Sequence, residues 1–267
     1  MDHEKAKILA QKTLAIGQLG NAFGLNLVDA SEPGELFCAI QKYRGATSFD
    51  DKQQALLSYV LMNFSVSKAQ VFQDLFVLFM TKEKRGGYFV EFGATNGVTL
   101  SNSYLLEKSY GWNGILAEPA KCWHTELKAN RNCIVETKCV WGKSGEQLEF
   151  NEVAAQELST INAFSGTDGR TEDRKDGNVY MVETISLNDL LDRHGAPKEI
   201  DYLSVDTEGS ELTILSNFDF SKYRVNLITV EHNYTKERVN IHDLLCRNGY
   251  KRVFEKFSSW DDWYVRE

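Results

Sequence analysis

The sequence predicts an α/β fold: a mostly parallel sheet with helices on both faces and an antiparallel hairpin at its C-terminal edge. From Tyr88 onward, apolar runs typical of strands alternate with helix-like stretches, and glycine or proline residues separate them. This alternation is characteristic of parallel strands joined by right-handed crossovers. A chain of 267 residues accommodates one such domain with an extension. We therefore expect a helical extension over residues 1–86 and the α/β domain over residues 87–267.

The extension is predicted to be helical because apolar residues recur at helical spacing. Residues 5–19 show this pattern, and Ser67 and Gln70 have the spacing of a capping box at the start of a later helix. Five apolar residues of that helix fall on one stripe, namely Val71, Phe72, Leu75, Phe76 and Phe79. We interpret the stripe as core packing against the sheet, and the helix as ending at Gly86.

The domain is predicted to follow the order of its apolar runs. In chain order the elements are strand 88–92, helix 98–110, strand 114–118, helix 120–130, a strand near 133–140, a short helix capped by Ser186, strand 200–206, helix 210–215, strand 225–231, helix 236–248, and strands 250–254 and 263–265. Residues 165–178 contain no aliphatic side chain, which predicts a surface loop.

Composition narrows the functional classes. A net charge of −8 and a pI near 5.3 argue against a surface that binds nucleic acid. No apolar run reaches the roughly 18 residues of a membrane-spanning helix, and the polar N-terminus does not resemble a signal peptide. The five cysteines are odd in number and include no CxxC pair, which favours reduced thiols and a cytoplasmic protein. The oligomeric state stays open, a homodimer included.

The most informative segment runs from Tyr88 to Gly97. Glu91 closes a strand, and Gly93 and Gly97 follow four residues apart, before a helix predicted to begin at Val98. Glycines permit a tight turn and close approach to a ligand, and the amides of a helix start attract an anionic group. S-adenosylmethionine carries the matching ammonium, carboxylate and ribose. NAD is the alternative, but its GxGxxG fingerprint is missing and Glu91 would crowd a pyrophosphate.

The next strand supports the same cofactor. It ends at Glu118, and Pro119 stops it. A carboxylate at the end of an adjacent parallel strand can accept hydrogen bonds from both hydroxyls of a ribose. A solvated loop glutamate is the alternative interpretation.

Two later strands also end in titratable residues. Asp206 and Glu208 follow one strand, and Glu231 and His232 end the next. Asp206 could merely cap the following helix, and His232 could be a satisfied buried histidine. Together they are candidates for general-base catalysis, with Asp206, Glu208 and His232 as the catalytic residues. Asp206, Glu231 and His232 are alternatively candidate ligands of a divalent metal, which with an imidazole would suit iron, manganese or zinc better than magnesium.

With these residues considered, the chain resembles the FkbM family of S-adenosylmethionine-dependent methyltransferases. The resemblance rests on residues 67–77 with Gln73 and Asp74, 89–106 (FVEFGATNGVTLSNSYLL), 111–119 (GWNGILAEP), 184–191 and 200–215 (IDYLSVDTEGSELTIL). It implies a class I methyltransferase (Rossmann-like) fold and O-methylation, often of a sugar or polyketide hydroxyl. It also implies that Asp206 lies near the transferred methyl and that the Gln73–Asp74 pair helps to close the site.

The candidate cofactor site combines the residues of the motifs with those implied by the resemblance: Glu91, Phe92, Gly93, Ala94, Asn96, Gly97, Glu118, Pro119, Val140 and Asp206. The expected acceptor is a carbohydrate hydroxyl, on a nucleotide sugar or glycan precursor, with stacking by Trp112, Trp141 or Trp260. A polyketide or another small molecule is the alternative acceptor, and a non-catalytic interaction protein is the alternative function. Acceptor specificity is expected in residues 1–66 and 150–180, which the resemblance leaves unmatched.

Overall fold

A computed structural model describes residues 49–167 and 169–267. The helix predicted over residues 5–19 lies outside the described residues, and so does most of the predicted extension over residues 1–86. The domain boundary near residue 86 therefore stays a prediction.

The elements alternate between strand and helix, as expected. The helices are α1 (Asp51–Asn63), α2 (Gln73–Thr81), α3 (Tyr104–Tyr110), α4 (His124–Asn130), α5 (Leu187–Arg193), α6 (Glu211–Ser216) and α7 (Glu237–Arg247). The strands are β1 (Tyr88–Phe92), β2 (Asn113–Ala117), β3 (Ile134–Glu136), β4 (Cys139–Trp141), β5 (Gln147–Glu152), β6 (Thr160–Ile161), β7 (Asn178–Ser186), β8 (Glu199–Val205), β9 (Arg224–Glu231), β10 (Tyr250–Val253) and β11 (Asp261–Arg266).

Seven strands form the main sheet in the order β10-β11-β9-β8-β1-β2-β3. The five strands from β9 to β3 are parallel, and β11 pairs antiparallel with both β9 and β10. The predicted parallel sheet and C-terminal hairpin are therefore confirmed. The edge strand is β10 rather than the last strand, because β11 pairs with β9 on one side and with β10 on the other. Trp263 of β11 stacks on Phe76 with ring centroids 4.6 Å apart.

Helices cover both faces of this sheet. On one face, α5, α6 and α7 pack against apolar residues of β1, β8 and β9. On the other face, α1 to α4 pack against residues such as Phe89, Leu116 and Tyr202. The predicted stripe of α2 belongs to this second core, with Leu75 and Phe76 fully buried. Helix α2 is thus part of the domain's own core.

The sequence did not predict a second sheet, which has the order β4-β7-β5-β6. The strand expected over 133–140 is in fact two strands, β3 in the main sheet and β4 in the second. Glu136 breaks the run because its Oε1 accepts hydrogen bonds from the amides of Thr137 and Lys138, at 3.0 and 3.1 Å. The resulting turn redirects the chain from one sheet to the other.

Two predicted helix starts are wrong. The helix expected from Val98 begins at Tyr104, because Glu91 accepts hydrogen bonds from the Asn102 amide and from the hydroxyls on either side of it. The capping box at Ser67 does not form either. The Ser67 hydroxyl instead donates to Asp74 Oδ1 at 2.6 Å, and α2 begins after Phe72 in a left-handed conformation.

The structure also bears on the predictions for Trp112, the cysteines and membrane-spanning helices. The indole of Trp112 is buried and donates to the Lys84 carbonyl at 2.7 Å, so this ring cannot stack on an acceptor. Cys122, Cys133, Cys139 and Cys246 are free thiols. Among the described residues, no helix combines the length and apolar character needed to cross a membrane.

Candidate active site

One cavity of about 390 Å³ opens where β1, β2, β8 and β9 end. Its volume lies in the range of pockets that bind small molecules, roughly 300–1,000 Å³. Six of the predicted cofactor residues line it, namely Phe92, Gly93, Glu118, Pro119, Val140 and Asp206. The carboxyl edge of a parallel sheet is where such folds bind ligands. The predicted location of the site therefore coincides with this cavity.

Glu118 presents a carboxylate to the cavity. Its two oxygens accept hydrogen bonds from the Thr95 amide at 2.9 Å and the Ala120 amide at 2.8 Å. Burial raises the pKa of Glu118 to about 7, and the two amides oppose that rise. Because each oxygen has a second lone pair, Glu118 can still accept from the hydroxyls of a ligand.

Glu91 does not line the cavity. Its carboxylate is buried and is occupied by the loop that follows β1, with the Asn102 amide donating at 2.7 Å and the Ser101 hydroxyl at 3.2 Å. Burial raises its pKa, while the nearby Arg131 guanidinium lowers it. Glu91 therefore supports the wall of the cavity, and its predicted contact with the cofactor stays a prediction.

Three other predicted residues shape the loop. A Cβ added to Gly97 would lie 2.7 Å from Leu127 and from Arg131. The absence of a side chain at Gly97 therefore lets α4 pack closely against the loop, and it does not serve the approach of an anionic ligand. Asn96 Oδ1 accepts from the amides of Val98 and Thr99, and Ala94 is fully buried. None of the three is among the residues that line the cavity.

Gly93 lets β1 and β8 end side by side. Its φ is +72°, and an added Cβ would lie 2.1 Å from the Asp206 carbonyl oxygen. Only glycine tolerates both conditions. The close approach sets the position of Asp206 in the cavity.

We expect Gly93→Ala to lower the free energy of unfolding by about 2–4 kcal/mol, from the left-handed conformation plus the steric overlap. Gly111→Ala is the matched control, because its φ is +68° and nothing lies within 4 Å of the added Cβ. That control should lose only about 1–2 kcal/mol. Urea unfolding measures both losses, and equal losses would contradict the proposed contact.

Three carboxylates meet at the ends of β8 and β9. Oxygens of Asp206, Glu208 and Glu231 lie within 4.8 Å of one another, and Asp206 forms a hydrogen bond with Glu231. Burial raises the pKa of both hydrogen-bonded carboxyls, and the charges of neighbouring carboxylates, including Asp261 and Glu211, raise it further. Both effects favour the protonated form of this pair, and its two carboxyls titrate as a unit.

Glu208 is held by a cation from the second sheet. Arg174, whose side chain is 0% exposed, donates to Glu208 Oε2 at 2.6 Å and to the Leu158 carbonyl at 2.8 Å. The Thr160 hydroxyl donates to the main-chain oxygen of Glu208 at 2.8 Å. These contacts attach the cap, which we define as residues 150–167 and 169–177, to the acidic end of β8.

His232 does not join the carboxylates. Its Nδ1 accepts from the Tyr234 amide at 3.0 Å, and its Nε2 lies 3.7 Å from Asp262 Oδ1. Consecutive residues at a strand end point to opposite sides, which separates His232 from Glu231. Burial lowers the pKa of His232 to about 4, so the ring is neutral. The structure therefore does not bring His232 of the predicted metal set together with Asp206 and Glu231, and the three carboxylates that meet are those of Asp206, Glu208 and Glu231.

Neither residue of the Gln73–Asp74 pair is among those that line the cavity, and their predicted role in closing the site stays a prediction. Gln73 Nε2 donates to Asp261 Oδ2 at 2.7 Å, which connects α2 to β11. Asp74 accepts from the Ser67 hydroxyl and the Lys68 amide. Their contacts position the segment that contains Gln70, a residue of the cavity wall.

Several cavity residues were missed by the sequence analysis. They are Gln70, Thr95, Leu100, Asn102, Ala117, Cys139, Phe150, the segment 156–159, Ile161, Gly169, Arg170, Thr207, Ser210, Asn233 and Tyr234. Eight of them lie in the cap, a segment in which the sequence showed no motif and which the resemblance leaves unmatched. Of the predicted tryptophans, Trp260 lines the cavity, and Trp141 packs against Phe164 with ring centroids 6.1 Å apart.

Comparison with known proteins identifies a family model. The model described as a methyltransferase FkbM domain matches residues 91–263, which is more than half of the chain. The match includes the ends of β1, β2, β8 and β9. No curated protein matches the chain.

Solved structures of methyltransferases are similar at low identity. A TehB-like S-adenosylmethionine-dependent methyltransferase from Corynebacterium glutamicum is 8% identical, with a TM-score of 0.38 and coverage of 88% of this chain and 100% of that chain. A methyltransferase from Pyrococcus furiosus is 11% identical, with a TM-score of 0.38 and coverage of 81% and 98%. An O-methyltransferase from Bacillus cereus in complex with S-adenosylhomocysteine is 12% identical, with a TM-score of 0.36 and coverage of 85% and 94%.

Proposed function

Because the chain belongs to the FkbM methyltransferase family, we propose that it transfers the methyl group of S-adenosylmethionine to a hydroxyl oxygen of a carbohydrate. The class I methyltransferase fold and the use of S-adenosylmethionine follow from the family and the sheet. The oxygen acceptor and its carbohydrate nature are the new elements.

One observation carries the proposal. The three neighbouring carboxylate residues, Asp206, Glu208 and Glu231, line the same cavity as Gly93 and Glu118. A hydroxyl is a poor nucleophile until a base takes its proton, whereas an already nucleophilic sulfur or amine acceptor needs less assistance. Carboxylates beside the cofactor pocket therefore favour an oxygen acceptor.

The cavity residues have different roles in the proposed methyl transfer. When bound, S-adenosylmethionine supplies an electrophilic methyl group on a sulfonium. Glu118 accepts hydrogen bonds from the ribose, and Gly93 brings the end of β1 against β8. Asp206 accepts the proton of the acceptor hydroxyl, and its hydrogen bond to Glu231 orients it. Alignment of the acceptor supplies much of the remaining rate enhancement.

The cap supports a carbohydrate acceptor. Its cavity wall offers amide and hydroxyl groups from Gln156 and Ser159, and Phe150 and Trp260 supply aromatic faces nearby. Amides with aromatic faces suit a sugar ring, which presents hydroxyls at its rim and C–H groups on its face. A polyketide hydroxyl is the runner-up, because Leu158 and Ile161 add apolar surface to the same wall.

A divalent cation is a second candidate for handling the proton. The three carboxylates within 4.8 Å form an all-oxygen donor set, which suits Mg²⁺ or Mn²⁺ better than the zinc or iron favoured by an imidazole. Asp206, Glu208 and Glu231 would hold the ion, although Arg174 already neutralises Glu208. A bound ion would lower the pKa of the acceptor hydroxyl.

Binding and transfer assays test the proposal together. S-adenosylhomocysteine should raise the Tm of the purified protein by mass action, and NAD should leave it unchanged. Incubation with S-adenosylmethionine and a panel of nucleotide sugars should add one methyl group to a sugar hydroxyl. Binding of NAD alone would overturn the cofactor, and a methyl group on a protein side chain or an RNA base would overturn the acceptor.

The transfer assay also distinguishes general-base catalysis by Asp206 from catalysis that requires a divalent cation. If Asp206 acts as the base by itself, chelators should leave the rate unchanged. If a cation is required, chelation should abolish transfer and one divalent ion should restore it.

A further inference from the structure

We propose that Asn102 Oδ1 binds the ammonium group of the methionine moiety of S-adenosylmethionine, an inference that rests on the proposed use of this cofactor. Asn102 lines the same cavity as Gly93 and Asp206. Among the motif residues, Glu91 is the carboxylate that would suit this cation. The structure assigns Glu91 to the loop instead, which leaves the ammonium without its expected partner.

Asn102 is fixed by hydrogen bonds from both its main chain and its side chain. Its main-chain N–H donates to Glu91 Oε1 at 2.7 Å, and its Nδ2 donates to the Ser204 hydroxyl at 2.9 Å. Ser204 belongs to a buried polar chain that continues through Thr229 to the Tyr202 hydroxyl. These contacts come from two neighbouring strands, β1 and β8. The side chain therefore has little freedom to turn.

The remaining side-chain oxygen of Asn102 has no donor in the described part of the chain. Asn102 is 5% exposed, and its Oδ1 has no hydrogen-bond partner among the described residues. A buried acceptor without a partner is disfavoured, and in native structures it calls for a specific explanation. A donor supplied by a ligand in the cavity is the explanation that fits a residue of the cavity wall.

An ammonium is the donor that fits this position. The ribose hydroxyls are accounted for by Glu118, at the end of β2 on the far side of β1 from Ser204. Asp206 and Glu231, at the ends of β8 and β9, make this part of the cavity electronegative. A cation gains from that potential, and a carboxylate would be repelled. The oxygen of Asn102 thus suits the charged amine of the cofactor.

Calorimetry with two ligands tests the assignment. S-adenosylhomocysteine carries the ammonium, and its deamino analogue has hydrogen in that place. The wild type should bind S-adenosylhomocysteine at least about 10-fold more tightly than the analogue, as expected for a hydrogen bond to a charged group. Asn102→Ala should weaken S-adenosylhomocysteine by a similar factor and leave the analogue unchanged.

Asn96→Ala is the matched control, because Asn96 caps its own loop and is not among the residues that line the cavity. It should weaken both ligands equally or neither. Equal weakening of both ligands by Asn102→Ala would overturn the proposal and make Asn102 a structural residue. Equal wild-type affinity for the two ligands would overturn it without any variant. Protein that fails to bind S-adenosylhomocysteine at all would overturn the cofactor as well.

Discussion

Asp206→Asn is expected to lower kcat by about 10²- to 10⁴-fold, the range that general-base catalysis contributes. Asp206 is the one member of the carboxylate group that ends β8 directly beside Gly93. An amide keeps its size but cannot take a proton from the acceptor. The Kd of S-adenosylhomocysteine should change little, so the loss should fall on kcat rather than on cofactor binding.

Asp201→Asn is the control for this variant. Asp201 is a buried aspartate of β8, but it lies near the opposite end of the strand from Asp206 and accepts from Lys84 at 2.6 Å. Its replacement should reduce stability and leave kcat nearly unchanged. If Asp206→Asn retains full activity, Asp206 is not the base and the mechanism proposed here is wrong.

Arg174→Met is expected to lower the free energy of unfolding by about 3–5 kcal/mol, because it removes one member of a buried ion pair and leaves the charge of Glu208 without that partner. Arg174 also donates to the Leu158 carbonyl, and its own carbonyl accepts from Asn151. Its loss should therefore loosen the cap. The KM for the acceptor should rise more than the Kd of S-adenosylhomocysteine.

A double-mutant cycle separates the pair from general damage to the loop. Arg174→Met combined with Glu208→Gln should recover part of the lost stability, since the buried charge is removed with its partner. Arg170→Met, in the same loop but with a side chain 60% exposed, should change the stability little. Additive losses in the cycle would show that Arg174 and Glu208 do not act as a pair.

The strands could be predicted because their signals are local. β1, β2, β8 and β9 are mostly apolar runs that stop at a glycine, a proline or an acidic residue, and each lies within one residue of its predicted bounds. Helix starts were less predictable because side chains competed for the same amides. Asp74 accepts a hydrogen bond from the hydroxyl of Ser67, and Glu91 accepts one from the main-chain amide of Asn102. The accepting residue is 7 positions from Ser67 in the first case and 11 positions from Asn102 in the second, which is beyond the reach of a local capping pattern.

The candidate site was partly predictable for the same reason. Parallel neighbours end at one edge of a sheet, so the meeting of Asp206 with Glu231 followed from the predicted topology. The period of a strand could also have separated His232 from Glu231. No pattern in the sequence indicated that Arg174, in a loop without aliphatic residues, would be buried against Glu208.

The sequence by itself determined the parallel sheet, the edge at which ligands bind, the family resemblance and the acidic ends of β8 and β9. These follow from periodicity and from residues close together in the chain. Only the tertiary structure decided which acidic side chains face the cavity and which support its wall. Asn102 reaches Ser204 across 102 positions, and Arg174 reaches Glu208 across 34. Such contacts depend on how the strands and the cap pack together, because a side chain's partner is chosen by distance in space.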